Sequence, residues 1–170
     1  RIITFASESG LFGNTGQANY AAAKSGIAGF TKVLARDLGR YGVTANSICP
    51  RANTRMAESV PDLARQLRSN RPADREHVPQ ASEMSPDDIA PMVAYLASDK
   101  ASNINGQTFL VYGGTITRLS QPRKVKTIFK RGRWELDELR ELVPQAITTN
   151  LVNPSPPRQA KTPANTEKAN

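Results

Sequence analysis

The chain has 170 residues, a formal net charge of +8 and 38% hydrophobic residues, enough for one domain and a tail. Its one cysteine, Cys49, excludes an internal disulfide, and its one histidine, His77 in the polar run "RPADREHVPQ", argues against a zinc site and a Ser-His-Asp triad. No apolar run approaches the roughly 20 residues that span a bilayer, so the expectation is a soluble, cytoplasmic protein without a membrane partner.

"RIITFAS" opens the chain with β-branched and aromatic residues and reads as a short buried strand. It starts at Arg1 rather than Met, at a strand edge, which predicts a chain entered partway through a domain. "GLFGNTGQ", rich in glycine, reads as a loop. From Gln17 to about Arg40 the period is helical, with Ile27, Phe30, Leu34 and Leu38 along one side. Alanines, Gly26 and Gly29 leave another side thin, suited to close packing on a sheet or a second helix.

"YGVTANSICP" predicts a strand from about Val43 to Cys49, stopped by Pro50, which cannot donate to a ladder. Residues 51–84 are polar and broken by prolines, with one helix expected at "VPDLARQLRS". The stretch from Ala52 to Met84 reads as a substrate lid or, alternatively, a disordered connector. Ser85 as N-cap, Pro86 at the first position and acids in the first turn predict a helix over "SPDDIAPMVAYLASD". "NGQTFLVYGG" reads as the last strand. Alternating strands and helices predict an α/β fold, a parallel sheet with helices on both faces.

Beyond it lie a short β-like piece, "VKTIFK", and a helix, "WELDELRELV", whose Trp134, Leu136, Leu139 and Val143 would form a local apolar patch. The proline-rich end, from Asn153 onward, reads as disordered. The expected division is 1–115 as a partial α/β domain, 116–150 as a small extension and 151–170 as a disordered tail. The basic block from Arg118 to Arg133 has Phe129 as its one aromatic, a poor base-stacking platform. It reads as solvated or anion-facing, and no nucleic-acid partner is expected. No G-x-G-x-x-G follows a strand, and three strands leave an uncovered edge.

Tyr20 and Lys24 stand four apart, hence on one helix face a turn apart. An ammonium beside a phenol favours the ionised phenol, and such a phenol can exchange a proton with an alcohol or carbonyl oxygen. Ser7 ends the first strand, at the carboxyl edge where open α/β sheets bind ligands. A Tyr–Lys pair alone is an ordinary surface feature. The ordered set of Ser7, a glycine-rich loop, "ANY", Lys24 and "NSICP" is far more specific.

That set resembles the short-chain dehydrogenase/reductase family, whose Ser, Tyr-x-x-x-Lys and Asn-x-x-x-Pro motifs fall on Ser7, on Tyr20 with Lys24, and on Asn46 with Pro50. Gly10, Gly13 and Gln17-Ala18 also fit, and "NGQTFLVYGG" is similar to the family's last core strand. The resemblance covers about residues 1–115. It implies the C-terminal part of a Rossmann-type doubly wound parallel sheet, with the N-terminal dinucleotide-binding half absent. It also implies NAD or NADP as cofactor, no metal, and reversible hydride transfer between an alcohol and a ketone. On this resemblance Tyr20 is the general acid/base, Lys24 tunes it and holds the nicotinamide ribose, and Ser7 orients the substrate oxygen. Pro50 and Thr54 then line the nicotinamide end.

Two positions depart from the family pattern. Arg51, in "PRANTRM", stands where glycine is common, and Tyr112 stands where aspartate is common. "PRANTRM" looks closer to the hydroxyacyl-CoA dehydrogenase portion of peroxisomal-type multifunctional enzymes, which implies a 3-hydroxyacyl thioester as substrate; 3-oxoacyl reductases are the other similar branch. A homo-oligomer is implied for the full-length protein, and inactivity for this chain alone. A non-catalytic remnant serving as an oligomerisation or binding module is the alternative.

Overall fold

The computed structural model describes residues 1–54 and 84–153. Arg1–Gln121 form one compact unit and a second begins at Pro122. The first unit is built on a four-stranded sheet in the order β1 (Ile2–Phe5), β2 (Ala45–Pro50), β3 (Thr108–Tyr112), β4 (Thr115–Arg118). β1 pairs with β2 and β2 with β3 in parallel, while β4 runs antiparallel to β3. β3 is buried along its whole length and β2 up to Pro50, as expected of strands covered on both faces.

The antiparallel β4 corrects the expectation of three parallel strands ending at the paired glycines. Gly113 and Gly114 both hold positive φ, 33° and 63°, and turn the chain straight back, so that Tyr112 faces Thr115 and Phe109 faces Arg118. A Gly-Gly pair between two β-branched runs is a hairpin signal. β4 carries the first unit past residue 115 because it is hydrogen-bonded to β3.

Helices cover both faces of the sheet. On one, α3 (Ala90–Ala97) packs Met92 and Leu96 against Ile48, Phe109 and Val111. On the other, α1 (Glu8–Phe12) and α2 (Ala18–Leu38) lie over Cys49, Leu110 and Tyr112. α1 occupies part of the glycine-rich stretch expected to be a loop. Ser7 caps it and Glu8 fills its first turn, a start signal that the glycine content masked.

α2 turns its small side to the sheet. Ala28, Thr31 and Ala35 are buried, and the Thr31 and Thr4 hydroxyls lie 2.6 Å apart, whereas Phe30 and Val33 are exposed. The thin side could approach the strands closely, so it took the core position. The start of α3 is as expected: Ser85 Oγ accepts from Asp87 N–H at 3.2 Å, and Asp88 Oδ2 accepts from Ser85 N–H at 2.8 Å. Pro86–Ile89 form a 3-10 turn that leads into the helix.

Two asparagines fasten the chain before β3. Asn46, fully buried on β2, donates from Nδ2 to the Ile104 carbonyl at 2.8 Å and accepts from Gln107 N–H at 2.9 Å. Asn105 accepts from Ala45 N–H at 2.9 Å and donates to the Ala35 carbonyl at 2.8 Å. β2, α2 and the approach to β3 are thereby joined through side chains.

In the second unit α4 (Leu136–Leu142) runs into a π turn over Val143–Ile147, and Lys130 pairs with Glu138 and lies 5.6 Å from the Trp134 ring centroid. Trp134, Leu139 and Val143 are half-buried, but Leu136 faces out, which removes it from the expected patch. "VKTIFK" is not a strand: it pairs with no described segment, and its Val125 and Phe129 are exposed. The expected helix at "VPDLARQLRS", the lid, His77 and residues 154–170 of the tail lie outside the described residues.

Asn46→Ala should lower the unfolding free energy by about 1–3 kcal/mol, since it takes a hydrogen-bond partner from the half-buried Ile104 carbonyl and Gln107 N–H at once. Urea denaturation measures this, and an unchanged midpoint would contradict the role given to Asn46.

Candidate active site

The site forms where α1 and the start of α2 cross the carboxyl ends of β1 and β2. Gly10 permits the crossing: a Cβ there would stand 2.6 Å from Ser25 N and 2.8 Å from Lys24 C, so no side chain fits. Ser25 Oγ donates to the Gly10 carbonyl across this contact. Gln17 Oε1 accepts from Ser9 Oγ at 2.7 Å and from Asn14 Nδ2 at 3.0 Å, which holds the turn between the two helices.

Lys24 Nζ donates to the Phe5 carbonyl, the last residue of β1, at 2.9 Å. The same ammonium lies 5.8 Å from the Tyr20 ring centroid, within cation–π range, and Tyr20 is partly exposed. An ammonium has three donors, so two remain beside the bond to Phe5. Ser7, in extended backbone, accepts from Ser9 N–H at 3.2 Å through Oγ. That bond uses a lone pair and leaves the hydroxyl proton to donate elsewhere.

Pro50 ends β2 opposite Val111 and, with Phe5, Ala52, Ile89, Val93 and Ala94, lines an apolar hollow of about 580 Å³. Thr54 is exposed, two residues past Ala52, and is not among the residues lining that hollow. Tyr20, Lys24 and the end of β1 are therefore gathered together, Ser7 sits two residues beyond Phe5, and Pro50 shares the hollow with the Phe5 side chain.

Sequence reasoning missed Glu8 and the partners of Arg51. Arg51 Nε and Nη2 both donate to the Glu8 carboxylate, the second at 2.5 Å, and the guanidinium carbon lies 4.7 Å from the Tyr112 ring centroid. The hydrogen bond to Glu8 raises the Arg51 pKa above its ordinary value, against the opposing effect of burial. Cys49 is buried on β2. Burial first, and the Glu8 charge second, push its thiol up to about 11, while the Lys24 charge pulls the other way. Among the described residues no group of three His, Cys, Asp or Glu could hold a metal, and no helix is long and apolar enough to cross a membrane.

Residues 1–115 match the family described as Enoyl-(Acyl carrier protein) reductase. Hydroxyacyl-CoA dehydrogenase ChsB1 of Mycobacterium tuberculosis is 42% identical over 140 residues, 82% of this chain and 41% of that protein. The 3-oxoacyl-(acyl-carrier-protein) reductase FabG of Vibrio cholerae is 44% identical over 115 residues, 67% of this chain and 45% of that protein. A solved short chain dehydrogenase from Mycobacterium avium superposes with a TM-score of 0.66 at 38% identity, covering 85% of this chain and 44% of that one. The chain thus spans less than half the length of each of these relatives.

Cys49 should resist a disulfide reagent at pH 8 until the protein unfolds. Its folded pKa, about 11, lies above the ordinary 9.0, so the fold favours the protonated thiol. That stabilisation is complete below pH 9 and is lost as pH rises through 11, by up to about 2–3 kcal/mol. Denaturation of wild type and Cys49→Ala across this window should show the extra slope in wild type only.

Proposed function

The chain belongs to the short-chain dehydrogenase/reductase family of oxidoreductases, and from that premise we propose that it carries the proton-transfer machinery of a nicotinamide-dependent alcohol–ketone interconversion. The observation that supports this most is the Lys24 ammonium, bound to the end of β1 and set beside the Tyr20 ring. In reduction Tyr20 gives its phenolic proton to the substrate oxygen, and in oxidation it takes one back. Lys24 stabilises the phenolate left behind. Ser7, with its hydroxyl proton free, donates to the same substrate oxygen and orients it.

NAD or NADP, when bound, supplies or accepts the hydride. The residues present suit the reactive end of such a group: Lys24 has two donors for ribose hydroxyls, and Pro50 and Ala52 offer an apolar wall to a flat ring. Thr54, exposed and outside the hollow, is a proposed contact at the nicotinamide end. We infer that residues 1–115 correspond to the catalytic half of the Rossmann-type domain.

A 3-hydroxyacyl thioester is the proposed substrate. The match to a hydroxyacyl-CoA dehydrogenase runs over 140 residues and that to an acyl-carrier-protein reductase over 115, so the longer likeness favours the coenzyme A ester. The exposed Phe30 and Val33 of α2 suit a second copy of the chain, hence a homo-oligomer.

The protein expressed from its complete gene should oxidise NADH or NADPH in the presence of a 3-oxoacyl-CoA. Tyr20→Phe and Ser7→Ala should each cut kcat by about 10²–10⁴-fold, and Lys24→Ala should also raise KM for the cofactor. Undiminished turnover in Tyr20→Phe would sink the assignment. Absence of turnover in wild type with either cofactor favours a binding module instead.

A further inference from the structure

Glu8, Arg51 and Tyr112, which the proton-transfer scheme leaves unused, meet at the carboxyl ends of β2 and β3. Arg51 is fixed at its root, since its backbone N–H donates to the Val111 carbonyl at 2.9 Å. Its guanidinium spans from the buried Tyr112 ring, 4.7 Å away, to a two-pronged bond with Glu8. A planar fork that can stack and bond at once is a guanidinium's geometry and not an ammonium's. The Glu8 side chain is only 16% exposed, and the guanidinium is its ion-pair partner there.

Glu8 directly follows Ser7, and both belong to the start of α1, Ser7 as cap and Glu8 as first residue. α1 has five residues, too few to hold a helix unaided. It rests on α2 through Gly10, and Arg51 grips its first turn. Arg51 and Tyr112, the two positions that the sequence resemblance marks as departures, therefore touch each other. A glycine and an aspartate at those places could make neither the stack nor the grip on Glu8.

We propose that Arg51 is a positioning residue, acting through Glu8 to hold the first turn of α1, and with it Ser7, at the carboxyl ends of the strands. The consequence for turnover rests on the role given to Ser7 above; the hold on α1 does not.

The test uses the protein expressed from its complete gene and the variants Arg51→Ala, Arg51→Lys, Glu8→Gln and the double variant Arg51→Ala/Glu8→Gln. Amide hydrogen exchange of residues 8–12 should quicken about 10-fold in Arg51→Ala and in Glu8→Gln, with β3 unchanged and the double variant no worse than either single one. In the same variants kcat should fall about 10-fold with KM for the cofactor unchanged, and Arg51→Lys should lie between wild type and Arg51→Ala. Unchanged exchange at residues 8–12, or an equal quickening throughout the sheet, overturns the hold on α1. Loosened α1 with full turnover overturns the effect on Ser7. Should wild type show no turnover, the functional reading fails, the link to Ser7 falls with it, and exchange alone decides whether Arg51 holds α1.

Discussion

The bond from the Lys24 ammonium to the Phe5 carbonyl organises the site. Ala6 N–H donates to Ile48 O at 2.8 Å, so the Phe5 carbonyl, across the same trans peptide, points away from β2. Among the described residues β1 lies at the end of the strand order, and no strand partners that carbonyl. Lys24 meets the need at 2.9 Å and so places its charge beside Tyr20. One unsatisfied backbone group thus determines where the cation stands.

Close packing makes that reach possible. A lysine on α2 can bond the end of β1 only if the helix lies low on the sheet. The buried stripe of Ala28, Thr31 and Ala35 lets it do so, as does the missing Cβ of Gly10 where α1 crosses. At the far end of the helix Asn105 ties the Ala35 carbonyl to β2. The exposure of Phe30 and Val33 follows from the same choice, while Ile27, Leu34 and Leu38 stay half-buried at the margin of the contact.

Charge is distributed around the strand ends with little waste of solvation. Lys24 and Glu8 act on the Cys49 thiol with opposite sign, and Glu8 is itself answered by Arg51. The cation is engaged with a carbonyl and the carboxylate with a guanidinium, while the buried thiol stays neutral. Among the described residues, Ser47 on the same strand has the one buried side-chain oxygen without a hydrogen-bond partner.

What could be read directly from the residues was local. Tyr20 and Lys24 share a face because the helical period acts over four residues, and Ser85 with Asp88 closes its cap over three. β3 was legible as an apolar run and β2 from the proline that stops it, whereas the Gly-Gly turn into β4 reads as the end of the sheet and α1 was hidden by its glycines. Tertiary structure alone decided which side of α2 is buried, that Phe5 receives Lys24, and that Arg51 answers Glu8 across 43 residues of chain. Such pairings depend on which strand ends the topology brings side by side, and no periodicity in the sequence encodes that juxtaposition.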